Sequence, residues 1–243
     1  MPSPQDNITR FWGAVAAEYE AHPGNVPSRD GAEYRAWVEA MRSLLPAAPA
    51  DILDIATGTG FLATIAAGLG HRVTGIDLAE TMLSEARKNA SELGVEATFT
   101  LGDAVTPALP AASFDAITCR HFLWTLREPE TALRNWSALL RAGGRVVAID
   151  GFWFTEPAPE SESGEPNPGD IFGQHYTPAT RAALPVMSLR DPGQVVEMFR
   201  TTGFDPVTLD HLTAVHALAE DPPGDEPWYV IVATKPSSAS RIP

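Results

Sequence analysis

Three aspartates and one glycine-rich loop are the residues whose types and spacing point most directly to chemistry. Asp54-Ile55-Ala56-Thr57-Gly58-Thr59-Gly60 stands between an apolar run and a helical pattern. Its small residues let the backbone turn tightly and let a ligand approach the main chain. Asp77 ends the run Val73-Thr74-Gly75-Ile76-Asp77, where a carboxylate can accept hydrogen bonds from both hydroxyls of a ribose. Asp103, in Leu101-Gly102-Asp103-Ala104, stands where an adenine amino group can be received. Each acid also has a plainer reading. Asp54 can be a core acid satisfied by backbone N–H groups, Asp77 a helix N-cap and Asp103 a turn residue.

The charge of the ligand separates the candidate chemistries. Gly58-Thr59-Gly60-Phe61-Leu62-Ala63 matches the dinucleotide fingerprint G-x-G-x-x-A, which is weak evidence when it stands alone. Asp54, four residues before Gly58, would repel a pyrophosphate but suits a ligand with a cationic amino-acid tail. Further along, Cys119-Arg120-His121-Phe122-Leu123-Trp124 offers an imidazole that titrates near neutral pH. His121 is a candidate general base, or a hydrogen-bonding wall of the pocket. Arg120 can pair with a carboxylate. Gly151-Phe152-Trp153-Phe154 and Gln174-His175-Tyr176 either face an acceptor or pack beneath a lid. Trp124, Trp153, His175 and Tyr176 are the candidate acceptor-binding residues.

Alternating strand and helix patterns must position these groups. Strands are expected at Asp51–Ala56, His71–Ile76, Val95–Leu101, Phe114–Thr118 and Arg145–Asp150. Between them lie helices at Phe61–Gly68 and Thr81–Leu93, and one opened by Pro129 and stopped by Gly143-Gly144. Such alternation argues for a parallel sheet with helices on both faces, wound right-handedly. Two amphipathic helices, Ile8–Tyr19 and Asp30–Leu45, precede it. After Asp150 a Pro-, Gly-, Ser- and Glu-rich stretch reads as a long loop or lid. A helix opened by Asp191-Pro192 and ended by Gly203 follows, then strands Pro206–Leu212 and Trp228–Thr234, expected to pair antiparallel at the sheet edge. The expected class is α/β: a Rossmann-like doubly wound sheet, mostly parallel, with an antiparallel C-terminal edge strand and a helical N-terminal cap. It reads as one domain, with cap 1–50, core 51–150, lid 151–190 and C-terminal helix and edge strands 191–243.

Composition narrows the partners. Of the 243 residues 44% are hydrophobic, which suits a globular core. No apolar run reaches 18 residues, so no membrane span is expected, and the first residues have neither the charged nor the apolar region of a secretory signal. A cytoplasmic location fits. Cys119 is the single cysteine, which excludes an internal disulfide and a cysteine-clustered zinc site. His211 and His216 lie five apart without an acid pattern around them, so no metal is expected. The net charge of -14 disfavours a phosphate backbone as substrate, so no nucleic acid is expected. Part of it lies in two stretches, Glu156, Glu160, Glu162, Glu165 and Asp170, and Glu220, Asp221, Asp225 and Glu226. They read as solvated loops, or as a lure for a cationic substrate. Asp221-Pro222-Pro223-Gly224 reads as a turn.

Taken in order, these pieces resemble the class I S-adenosylmethionine-dependent methyltransferases. The similarity is to the ubiquinone/menaquinone-biosynthesis type and its small-molecule relatives. It runs through Asp51–Ala63, Val73–Leu83, Leu101–Ala104, Phe114–Leu126 and Leu139–Val147. The resemblance implies S-adenosylmethionine as cofactor, S-adenosylhomocysteine as product and a small-molecule acceptor, with O-, N-, S- or C-methylation left open, in a biosynthetic tailoring step. It places Asp54, Ala56, Thr57, Gly58 and Gly60 around the methionine part and Asp77 on the ribose. Leu78 and Met82 flank the adenine, and Gly102, Asp103 and Ala104 border it. Tyr19 closes over the cofactor from the first helix, with Arg120 nearby. Two departures are Ala56, where many relatives have Gly, and His121, where the quinone enzymes have the second residue of an Arg-Asn pair. The latter puts a quinol acceptor in doubt. A homodimer is compatible with this picture. A non-catalytic S-adenosylmethionine-binding regulator and a nicotinamide-dependent oxidoreductase are the alternatives.

Overall fold

The structure, a computed structural model, describes residues 2–151, 170–219 and 227–237. Its centre is a seven-stranded sheet in the order β3-β2-β1-β4-β5-β7-β6. β1 (Asp51–Ile55) lies between β2 (Arg72–Asp77) and β4 (Phe114–Arg120), and β3 (Ala97–Leu101) forms one edge. β1 is covered on both faces, which is why Ile52, Leu53 and Ile55 form a nearly continuous apolar run rather than an alternating one. β5 (Leu140–Asp150) runs parallel to β4. β7 (Tyr229–Thr234) runs against β5 and against β6 (Val207–His211), so it is the one reversed strand and sits just inside the second edge.

Helices cover both faces. α2 (Ala32–Leu44), α3 (Phe61–Gly68) and α4 (Glu80–Leu93) share one core, in which Trp37, Phe61, Leu62 and Leu83 pack against Ile52 and Val147. α5 (Pro129–Leu139) and α8 (Pro192–Thr201) bury Trp136 and Phe199 on the other, against Leu53, Ile117 and Val146. Burial of this kind stabilises by about 25 cal/mol for each Å² of apolar surface removed from water. Gly94 ends α4 in the left-handed region at φ 64, as helix C-termini favour.

α1 (Pro4–Ala21) opens with a reciprocal capping box between Ser3 and Asp6 and crosses α4, where Thr81 Oγ1 donates to the Gly13 carbonyl at 2.9 Å. Two short helices without a strong sequence signal follow residue 170, α6 (Ile171–His175) and α7 (Pro178–Ala182); α9 (Thr213–His216) follows β6.

Several boundaries shift by a few residues, and the junction of α5 and β5 differs in kind. α5 ends at Leu139, not at Gly143-Gly144, and β5 begins at once with Leu140. The glycines lie inside the strand, where the register against β4 shifts between Phe114↔Leu140 and Ala116↔Arg145. Gly143 adopts φ 77, and a Cβ on Gly144 would stand 3.0 Å from the carbonyl oxygens of Arg141 and Asp115. The pair serves a strand irregularity, not a helix stop.

Candidate functional site

The C-terminal ends of β1, β2, β3 and β4 open into one cleft roofed by α1. It encloses about 980 Å³ of space, its open mouth included. Open α/β sheets bind ligands at this end of their strands.

Asp54 lies at its floor, 2% exposed. Its two oxygens accept from Thr57 Oγ1 and Thr118 Oγ1, each at 2.6 Å. Burial pushes its carboxyl up to about 6, against the opposing pull of those hydroxyls and of Arg120. Gly75 faces Asp54 across the ladder, and a Cβ there would come within 2.8 Å of Thr57 Oγ1. The glycine in β2 thus makes room for the hydroxyl that satisfies the acid in β1.

The loop after β1 alternates through left-handed residues: Ala56 at φ 51, Gly58 at φ 54 and Gly60 at φ 81. For alanine this region costs roughly 1–2 kcal/mol. Asp77 secures the loop from β2, accepting from Gly58 N at 3.0 Å and Ala79 N at 2.9 Å. Burial raises its carboxyl above the ordinary range. Asp103 accepts from Val105 N and Thr106 Oγ1, both at 3.0 Å, which shapes the turn beyond β3. The turn role weighed for Asp103 coexists here with a place on the cleft, whereas Asp77 does not cap α4: the N-cap is Ala79, whose N–H Asp77 accepts from the end of β2.

Beyond β4 the chain turns sharply. Arg120 donates to the Asn25 carbonyl at 2.6 Å and lies 4.1 Å from the centroid of Phe61. Burial lowers its guanidinium from the ordinary value, opposed by Tyr19, Asp54 and Glu33. His121 adopts φ 54, is buried, and packs on Trp228 with ring centroids 5.6 Å apart. Burial and the charge of Arg120 hold its imidazole well below the ordinary histidine value, so it is neutral at pH 7. Three hydrogen bonds fix the turn: His121 N to the Ile149 carbonyl at 2.8 Å, Leu123 N to Asp150 Oδ2 at 2.7 Å, and Trp124 Nε1 to the His121 carbonyl at 2.9 Å.

Thirteen candidates line the cleft: Tyr19, Asp54, Ala56, Thr57, Gly58, Asp77, Leu78, Met82, Gly102, Asp103, Ala104, Arg120 and His121. Gly60 does not; it lies behind the loop, where a Cβ would stand 3.0 Å from Ala86 Cβ and 3.2 Å from Phe99 Cζ. Trp124 and Tyr176 also lie off the lining, in a buried aromatic group with Phe172 and with Ile8, Phe11 and Trp12 of α1. His175 is half-buried with its ring 6.2 Å from that of Phe11. Trp153 lies outside the described residues, as do 220–226 and most of the acidic stretch at 155–170.

Sequence reasoning missed Gln5, Ile8, Thr9 and Trp12 on α1, and Phe122, Thr125, Leu126 and Arg127 after β4. Ser3 and Asp6 mark the start of α1, but no local signal says which of its faces turns inward. Among the described residues no group of three or more His, Cys, Asp or Glu is gathered to hold a metal ion, and no helix is long and apolar enough to cross a membrane.

Comparison with known proteins is decisive for the centre of the chain. Residues 53–148 match the family model described as Methyltransferase domain. This stretch, about two fifths of the chain, is similar to methyltransferase domains. It contains the C-terminal ends of β1, β2, β3 and β4 that open into the cleft. The chain is 37% identical over 122 residues to a demethylmenaquinone methyltransferase of Thermus thermophilus, covering 49% of this chain and 56% of that one. It is 33% identical over 138 residues to a ubiquinone biosynthesis O-methyltransferase of Xanthomonas axonopodis, covering 56% and 54%. The chain thus spans about half the length of these relatives. Among solved structures, a Haemonchus contortus phosphoethanolamine N-methyltransferase 2 has TM-score 0.69 at 18% identity, over 98% of this chain and 61% of that one. The [4+2]-cyclase SpnF has TM-score 0.68 at 18% identity, over 98% of both. A methyltransferase-domain fold is therefore shared with a protein named for a different reaction.

Proposed function

We propose that the protein transfers a methyl group from S-adenosylmethionine to a small-molecule acceptor in a biosynthetic step. The observation that carries this is the convergence of Asp54, Asp77 and Asp103, from successive strand ends, on one cleft. The residues present fit the cofactor. Gly58 has nothing within 4 Å of where a Cβ would stand, so the loop leaves space for a ligand. Thr59 Oγ1 is buried without a hydrogen-bond partner on the cleft wall. When bound, S-adenosylmethionine supplies a methyl carbon already activated by its sulfonium.

The chain's own residues bind, orient and exclude water. Asp54, Ala56, Thr57 and Gly58 receive the amino-acid tail, with Arg120 available to its carboxylate. Asp77 takes the ribose hydroxyls, while Leu78, Met82, Gly102, Asp103 and Ala104 enclose the base. Tyr19 and Trp12 close the roof. His121 presents a neutral imidazole that can accept a hydrogen bond from an acceptor O–H or N–H. Its position beside Arg120 disfavours a lasting imidazolium, so His121 orients that bond more than it stores the proton.

Calorimetric titration with S-adenosylhomocysteine, with NADH as comparator and Asp77→Ala as control, tests the assignment. One-site binding of the former alone, lost in the variant, supports it. Binding of NADH instead sinks it. Binding without methyl transfer to any acceptor favours a non-catalytic protein, a reading that the likeness to a cyclase keeps in view.

A further inference from the structure

The cleft has two unlike walls. Opposite the strand ends β1–β3 runs a strip made by the chain leaving β4 and by the inner side of α1: His121, Phe122, Thr125, Leu126 and Arg127 against Ile8, Thr9 and Trp12. Half of this strip is apolar (Phe122, Leu126, Ile8 and Trp12), and it ends in a polar pair. Arg127 Nε donates to Gln5 Oε1 at 2.8 Å, and Gln5 Nε2 donates to Thr9 Oγ1 at 3.3 Å.

The charges are divided in the same way. Among the described lining residues the charged side chains are Asp54, Asp77, Asp103, Arg120 and Arg127. The first four belong to the cofactor reading. Arg127 is left over. Its side chain is 26% exposed, and Glu128, more than half exposed, approaches it only to 4.0 Å. That pair is too long and too wet to neutralise the guanidinium. Gln5 lies fourteen residues before Tyr19 on α1, about 21 Å along the axis at 1.5 Å per residue. Arg127 therefore marks the opposite end of the roof from Tyr19.

We infer that Arg127, oriented by Gln5, is a specificity-determining residue that binds a carboxylate on the methyl acceptor. The acceptor is then an elongated molecule with a partly apolar body, its nucleophile toward His121 and its carboxylate toward Arg127. A guanidinium with Nε engaged still presents its Nη donors, and these match a carboxylate in geometry as well as charge. The inference rests on the cofactor reading above. It has the opposite sign to the cationic substrate that the acidic stretches would favour.

The test uses protein saturated with S-adenosylhomocysteine and three probes of similar size: 4-hydroxycinnamate, its uncharged amide, and cationic tyramine. Calorimetry gives each affinity for wild type, Arg127→Gln and Arg127→Lys. The expected result is binding of the carboxylate at least about tenfold tighter than the amide in wild type, with tyramine weakest. The preference disappears in Arg127→Gln and returns in part in Arg127→Lys. Equal affinities, a preference for tyramine, a carboxylate preference surviving in Arg127→Gln, or no binding of any probe overturns the inference alone. Failure of S-adenosylhomocysteine to bind wild type overturns the cofactor reading itself, so the two failures are distinguishable.

Discussion

The indole N–H of Trp12 donates to the hydroxyl of Tyr176 at 3.1 Å, and that hydroxyl lies 2.8 Å from Thr125 Oγ1. One oxygen thereby joins the roof helix α1, the end of α6 and the turn after β4. Tyr176 is 1% exposed, and burial pushes its phenol well above the ordinary range. Tyr176→Phe keeps the ring but leaves a half-buried N–H and a buried hydroxyl without their partner. A loss of about 1–3 kcal/mol is expected. Chemical denaturation of Tyr176→Phe, Trp12→Phe and the double variant should show the two changes to be less than additive. Additive effects would separate the roof from the turn.

Asp54 makes the protein's stability depend on pH in an uncommon direction. Its folded carboxyl titrates at about 6 against an ordinary value of 3.8, so the folded chain holds the proton more tightly than the unfolded one. The native state is therefore penalised as pH rises from 3.8 to 6, and the penalty levels off above that, at roughly 3 kcal/mol. Asp54→Asn should raise the Tm of the ligand-free protein at pH 7.5 relative to wild type, with the advantage shrinking toward pH 4. The same change should weaken S-adenosylhomocysteine at least about tenfold, since one ion pair with its ammonium is lost. A Tm difference independent of pH would contradict the assignment.

Gly58 and Gly60 should fail in different ways when given a methyl group. Both have positive φ, so each Ala variant carries backbone strain of roughly 1–2 kcal/mol. At Gly58 the added carbon enters open space on the cleft, and the main loss should be ligand affinity. At Gly60 it meets Ala86 and Phe99, and overpacking adds about 1–3 kcal/mol to the cost of folding. Paired Tm and calorimetric measurements distinguish the two patterns. A Gly60→Ala protein of wild-type stability would show that the packing behind the loop is looser than described.

Asp150, fully buried, accepts from Leu123 N and from Gly151 N at 2.9 Å. Asp150→Ala should cost about 1–3 kcal/mol through those orphaned N–H groups. It should also free the turn that holds His121, so amide exchange across residues 121–125 should rise more than in β4. Uniformly raised exchange would reduce Asp150 to a general stabiliser.

Asp54, Asp77 and Asp103 were legible in the sequence because each follows an apolar run and precedes a turn, a pattern set by local strand chemistry. The doubly wound order was legible for the same reason. Arg127, Gln5 and Thr9 were not, because their meeting depends on where α1 lies over the sheet, and that is decided by distant packing such as Ala16 on Met82. Gly143-Gly144 misled because two glycines after a helical pattern usually mean a stop. Here Leu140 already pairs with Phe114, so sheet pairing prevails over the local signal. For Tyr176 the sequence left facing an acceptor and packing open, and only the fold shows that its neighbours and those of Trp124 are Phe11, Trp12 and Phe172.

The placement of β7 has a consequence for how the chain is made. β5 pairs with β4 on one side and with the much later Tyr229–Thr234 on the other. During synthesis the strands that line the cleft emerge first, while the apolar margin of β5 stays unpaired until nearly eighty further residues have been added. A nascent chain paused before β7 would present Val146, Ala148 and Ile149 on an open edge, able to recruit a neighbour. Pairing of β7 and protection of that edge from aggregation are thus the same event.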